Sequence, residues 1–162
     1  MFFYETRINV FLRGVVVLIG ITALALCIFW LPGIASRDAA AHPETDYLQY
    51  PFLVCAYVFS IPFFVALYQA FKLLSYIDRN KAFSELSVRA LSYIKYSTIT
   101  ISILIVLGIL FVAIFIDDDV AGFISLGLMC TFASSVIAAF AVVLQKILQD
   151  ALDIKSENDL TV

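Results

Sequence analysis

The sequence predicts an all-α, polytopic membrane protein: a bundle of four transmembrane helices with both termini in the cytoplasm. Three observations lead there. The 162 residues are 63% hydrophobic and only 14% charged, with a mean hydropathy of +1.01, whereas a soluble domain carries about 45–50% apolar and about 25% charged residues. Four apolar stretches are each long enough to cross a hydrocarbon core, which takes about 20 helical residues. Lys and Arg gather on one side of those stretches. Such a composition excludes a soluble enzyme, a disordered chain and a basic nucleic-acid binder. Three cysteines exclude a disulfide-dense scaffold.

The first span covers 13–31, the second 51–77, the third 96–116 and the fourth 120–144. All are continuously apolar and lack the period of two that a barrel strand requires. Arg7 and Arg13 before the first run give it a signal-peptide look. The run is too long for that, and the small residues Ala39, Ala40 and Ala41 lie well past its end, so the helix is expected to stay. The connection Ile34–Tyr50 reads as a polar loop, and Asp117–Asp119 as a tight acidic hairpin.

Orientation follows from the positive-inside rule. Nine basic residues (Arg7, Arg13, Lys72, Arg79, Lys81, Arg89, Lys95, Lys146 and Lys155) fall on one side, against Arg37 alone on the other. Both termini and the Asp78–Lys95 segment are therefore expected in the cytoplasm of a bacterial cell. Phe29, Trp30, Tyr47, Tyr50 and Phe52 form an outer aromatic belt, and Tyr76, Tyr93 and Tyr96 an inner one.

Several local features follow in order. Pro62 removes a backbone donor inside the second span and predicts a kink. Asn80 suits the left-handed residue that ends a helix. Ser84 suits the next N-cap, with Phe83 and Val88 as a hydrophobic staple. A helix starting near Glu85 would then run straight into the third span. In the fourth span Gly127, Thr131, Ser135 and Ala139 recur every four residues, with Ser134, Ala138 and Ala141 beside them. Small residues of this kind let helices approach closely in lipid. The seam serves packing inside the bundle, or contact with a second copy or a partner membrane protein. Residues 145–162 read as a helical extension of two or three turns followed by a flexible tail. Leu144, Ile147, Leu148, Ala151 and Leu152 form its apolar stripe.

Chemistry is sparse. No Asp, Glu, Lys, Arg or His sits near the middle of a span, which argues against pumps and ion-coupled transport. There is no nucleophile–base pair, zinc spacing, P-loop or dinucleotide turn, so neither an enzyme nor a cofactor is expected. His42 reads as a solvated side chain. Asp117, Asp118 and Asp119 read as a helix end, with weak cation binding as the alternative. Cys27 and Cys55, each about 6 Å inside an outer span end, read as small hydrophobes, with a redox pair as the alternative.

The residues Tyr68-Gln69-Ala70-Phe71-Lys72-Leu73-Leu74 and Ile77-Asp78-Arg79-Asn80-Lys81-Ala82-Phe83-Ser84 resemble the core motif of a bacterial family, domain of unknown function 2975 (DUF2975). Arg89-Ala90-Leu91 and Ile94-Lys95-Tyr96 continue the likeness, as does the closing Glu157-Asn158-Asp159-Leu160-Thr161-Val162. The resemblance implies four spans in this orientation. It also implies a soluble helix-turn-helix regulator as a partner, because members are often encoded beside one. It carries no catalytic residues.

Two functions are in view. The first is a membrane-embedded regulatory protein whose cytoplasmic face, 78–95 with 145–162, holds a soluble partner. Asn158, Asp159, Leu160, Thr161 and Val162 would form the docking tail, bound as an added strand or by its carboxylate. The alternative is an oligomeric transport or pore accessory subunit built on the 127–139 seam and the Pro62 kink.

Overall fold

The computed structural model describes residues 2–117 and 120–161. Its elements are α1 (Phe2–Ala25), a π-turn (Leu26–Trp30), α2 (Leu31–Ala41), a 3-10 turn (Pro43–Leu48), α3 (Gln49–Asp78), α4 (Glu85–Phe115) and α5 (Ala121–Leu160). No strand occurs among the described residues. Four helical runs are long and apolar enough to cross a membrane: Phe3–Ala41, Gln49–Asp78, Glu85–Phe115 and Ala121–Leu160. At 1.5 Å per residue even the shortest reaches about 45 Å, beyond the ~30 Å hydrocarbon core. Large apolar side chains stay exposed along all four, as helices facing lipid require. The chain divides into two compact units, 1–64 and 65–162, with the boundary inside α3.

In the first unit the helical path runs past the expected end of span one. Ile34–Ala41 is α-helical rather than a polar loop. Pro32 lies in the first turn of α2, where its missing N–H costs little. Ala39, Ala40 and Ala41 favour helix. The helix stops at His42 (φ −126°, ψ 76°), because Pro43 disfavours helical backbone in the residue before it.

The second unit contains the end of α3, then α4 and α5. α3 closes with a Schellman motif. Asn80 is left-handed (φ 56°), its N–H donates to the Ile77 carbonyl (3.2 Å), and the Lys81 N–H donates to Tyr76 (2.8 Å). Ser84 takes the N-cap position of α4 in extended backbone, and its carbonyl accepts from Ser87 (3.1 Å) and Val88 (3.3 Å). The expected side-chain cap is not made. The Ser84 hydroxyl instead donates back to the Lys81 carbonyl at 2.6 Å, and Phe83 remains 60% exposed.

α4 is continuous from the charged segment into the apolar one, and pairs with α5 in antiparallel fashion. Lys95 Nζ donates to Gln145 Oε1 at 3.2 Å, while Gly127 lies against Ile109 and Ile105. Small and polar residues fill the centre of this unit: Ser87, Ala90, Ser97 and Thr98 on α4, Ala138 and Ala141 on α5. The connection is short, with Ile116 extended and Val120 capping α5. Asp118 and Asp119 lie outside the described residues. Beyond Leu144, α5 continues unbroken to Leu160, further than the two or three turns the sequence suggests.

Candidate functional site

Two polar places stand out from the apolar helices, one in each unit. The first surrounds the π-turn. Pro32 has no N–H, and the Leu31 N–H donates to the Leu26 carbonyl, five residues back instead of four. The Cys27 carbonyl therefore loses its donor twice over. Its α-helical donor, Leu31, is engaged elsewhere, and its π-helical donor would be Pro32. Tyr57 of α3 fills the gap, its hydroxyl donating to the Cys27 carbonyl at 3.0 Å. One turn along α3, Ser60 Oγ lies 3.4 Å from Cys27 Sγ and donates to its own Ala56 carbonyl at 2.9 Å. Cys27 and Cys55 are both free thiols, so no disulfide joins them.

This cluster was missed by sequence reasoning, though a signal exists. Tyr57 and Ser60 are three residues apart on one helix face, opposite a carbonyl that Pro32 is bound to orphan. The cluster ties the π-turn to the first part of α3. It contains no acid–base pair.

The second place is the α3–α4 turn with the adjoining part of α5. The Lys81 carbonyl accepts from two hydroxyls, Ser84 (2.6 Å) and Ser87 (3.1 Å). Ser87 is completely buried, so the turn is tied into the packed helix pair. Lys95 sits 4.6 Å from the Tyr96 ring centroid as well as on Gln145, and Lys72 lies 4.9 Å from that of Tyr68. Both ammonium groups thus rest on tyrosine rings, an arrangement that suits long cations at a headgroup boundary.

The seam residues separate. Gly127 and Thr131 are partly covered on the α4 side, whereas Ser135 and Ala139 are exposed. The covered row is Gly127, Thr131, Ser134, Ala138, Ala141 and Gln145. Its steps alternate between four and three. A pure four-residue step rotates about 40° each time and leaves the face within three steps, while a 4–3 alternation drifts only ~20° per seven residues. Hydroxyls of the apolar segments bond back to their own helices, as Thr131 does to Gly127 (2.9 Å) and Ser135 to Thr131 (2.8 Å). Pro62 lies inside α3, which continues through it.

The tail is helical. With Lys95 beside Gln145, α4 begins at about the level of Lys155, and the last turn of α5 passes beyond it. Asn158 and Asp159 are exposed, and Leu160 is 83% exposed. Thr161 closes the helix, its hydroxyl donating to the carbonyls of Glu157 (3.2 Å) and Asn158 (2.9 Å). Addition of this segment as a strand would first require unwinding it. Val162 lies outside the described residues. His42 stands beside Asp38 at 3.4 Å, both well exposed. Among the described residues no group of three His, Cys, Asp or Glu side chains is placed to hold a metal.

Comparison with known proteins agrees with the motif read from 68–96. The family described as "Protein of unknown function (DUF2975)" matches residues 33–162. The chain is 56% identical over 155 residues to the "Uncharacterized membrane protein YoaS" of Bacillus subtilis (strain 168), covering 95% of this chain and 97% of that one. No solved structure matches. The chain belongs to the DUF2975 family and is a membrane protein.

Proposed function

We propose that this DUF2975 member is a non-enzymatic regulatory protein of the bacterial cell membrane that holds a soluble partner at its cytoplasmic face. One observation carries the reading: α5 continues as a single helix sixteen residues past Leu144, to an end whose polar side chains are exposed. A span needs no such extension to cross a bilayer. The nine-to-one bias of basic residues puts both termini, the α3–α4 turn and this extension in the cytoplasm.

The docking residues are Asn158, Asp159 and Leu160, presented by the end of α5 rather than as a strand, with Thr161 and Val162 after them. Leu160 is the apolar anchor. The resemblance to DUF2975 proteins suggests a helix-turn-helix regulator as the partner. The chain itself would make no contact with nucleic acid.

Affinity purification from crosslinked native membranes tests this. The full chain is compared with a version lacking Asn158–Val162, by mass spectrometry. Recovery of a soluble DNA-binding protein with the full chain alone supports the proposal. Equal recovery with both versions removes the tail from the site.

A further inference from the structure

We infer that two copies of this chain pair through the extension of α5 as a short parallel coiled coil. The starting point is a second row on α5, about a third of a turn from the row that faces α4. It consists of Phe140, Leu144, Ile147, Ala151, Ile154 and Asn158, with steps of 4, 3, 4, 3 and 4. That is the heptad spacing that keeps one seam along a supercoil. Five of its six members are exposed, Phe140 at 66%, Ile147 at 56% and Ile154 at 67%, and Ala151 is half-buried.

Lipid can cover the part of this row that lies within the bilayer, but not its end. Ile154 is nine residues past Gln145, about 14 Å further along the helix. Gln145 is bonded to Lys95, a cation at the headgroup boundary. Ile154 therefore faces water, where an exposed isoleucine on a regular heptad row calls for cover.

The flanking charges identify what covers it. With Leu144, Ala151 and Asn158 at a and Phe140, Ile147 and Ile154 at d, Asp150 falls at g and Lys155 at the following e. In a parallel two-stranded coil a g residue meets the e residue five positions on in its partner. Asp150 of one copy thus meets Lys155 of the other, and the reciprocal pair forms by symmetry. Among the described residues neither has an ion-pair partner within its own chain. Two copies in one membrane share an orientation, so their α5 helices run parallel as this pairing demands. Asn158 supplies the single polar a position that favours two strands and one register. The inference holds whichever side of the membrane the extension occupies, and of the proposed docking residues it uses Asn158 in the seam between copies.

The test uses the purified full chain in lipid vesicles, with no soluble protein present. Cys27, Cys55 and Cys130 are replaced by serine, and Ile154→Cys is compared with Ser156→Cys under oxidation. Ile154→Cys is expected to give a disulfide-linked dimer and Ser156→Cys, on the outer face of the coil, none. Equal crosslinking, or none at either position, overturns the inference.

A second measurement keeps the native cysteines. Asp150→Lys or Lys155→Asp alone turns two attractions into two repulsions and is expected to raise the dimer dissociation constant about tenfold. It is read by energy transfer between labelled copies as the protein-to-lipid ratio is varied. The double exchange should restore the original value. Failure of that rescue excludes the Asp150–Lys155 pairing and with it the parallel coil.

Discussion

Replacing Tyr57 with phenylalanine deletes one oxygen and leaves the ring in place. That oxygen donates to the Cys27 carbonyl at 3.0 Å. Leu31 cannot replace it, since its N–H is held by Leu26, and Pro32 has no N–H to offer. An interhelical hydrogen bond in a membrane protein contributes on average about 0.6 kcal/mol and up to about 1.7. A carbonyl left without a donor in hydrocarbon lies toward the high end of that range. We expect Tyr57→Phe to cost about 1–1.5 kcal/mol, measured by reversible unfolding in mixed micelles.

The stronger check is a cycle with Pro32→Leu. Leucine at position 32 supplies the N–H that the π-turn lacks, so the Cys27 carbonyl gains a backbone donor. On that background Tyr57→Phe should be nearly neutral, giving a coupling of about 1 kcal/mol. Equal losses on both backgrounds would refute the account of the π-turn, as would no loss on the native one.

Three further outcomes follow from the α3–α4–α5 unit. A Cβ on Gly127 would stand 2.7 and 2.9 Å from Ile109 Cδ1 and Cγ1, so Gly127→Val should destabilise by about 1–3 kcal/mol, and Ile109→Ala in the same chain should recover most of it. Ala138→Leu, at a buried position, should lower the unfolding midpoint, while Ala139→Leu, one residue on and exposed, should leave stability within about 0.5 kcal/mol. Asn80 is left-handed, so Asn80→Gly should be neutral or stabilising and Asn80→Val should cost about 1–2 kcal/mol, both read in the same unfolding assay.

How far the sequence could be read varied with the physics of each feature. Asn80 and Ser84 were placed correctly because a left-handed end and an extended start are local backbone choices. The role of the Ser84 side chain was not legible, since its hydroxyl had two acceptable partners and the turn gave it the Lys81 carbonyl. The four-residue seam divides: Gly127 and Thr131 lie on the covered face, and the drift of a 3.6-residue helix carries Ser135 and Ala139 off it. The Cys27–Tyr57–Ser60 cluster lay outside any motif, because it joins residues 30 and 33 positions apart.

By itself the sequence determined that this chain is a helical membrane protein with four segments able to span, and that it belongs among DUF2975 proteins. Those properties depend on hydropathy summed over twenty residues and on short contiguous motifs, both of which survive without any knowledge of packing. Tertiary structure alone decided which face of α5 meets α4 and which carbonyl Tyr57 serves. Each of these turns on rotation about a helix axis or on a hydrogen bond between distant residues. In lipid, apolar surface favours no one face over another, so composition is silent on such choices and close packing makes them.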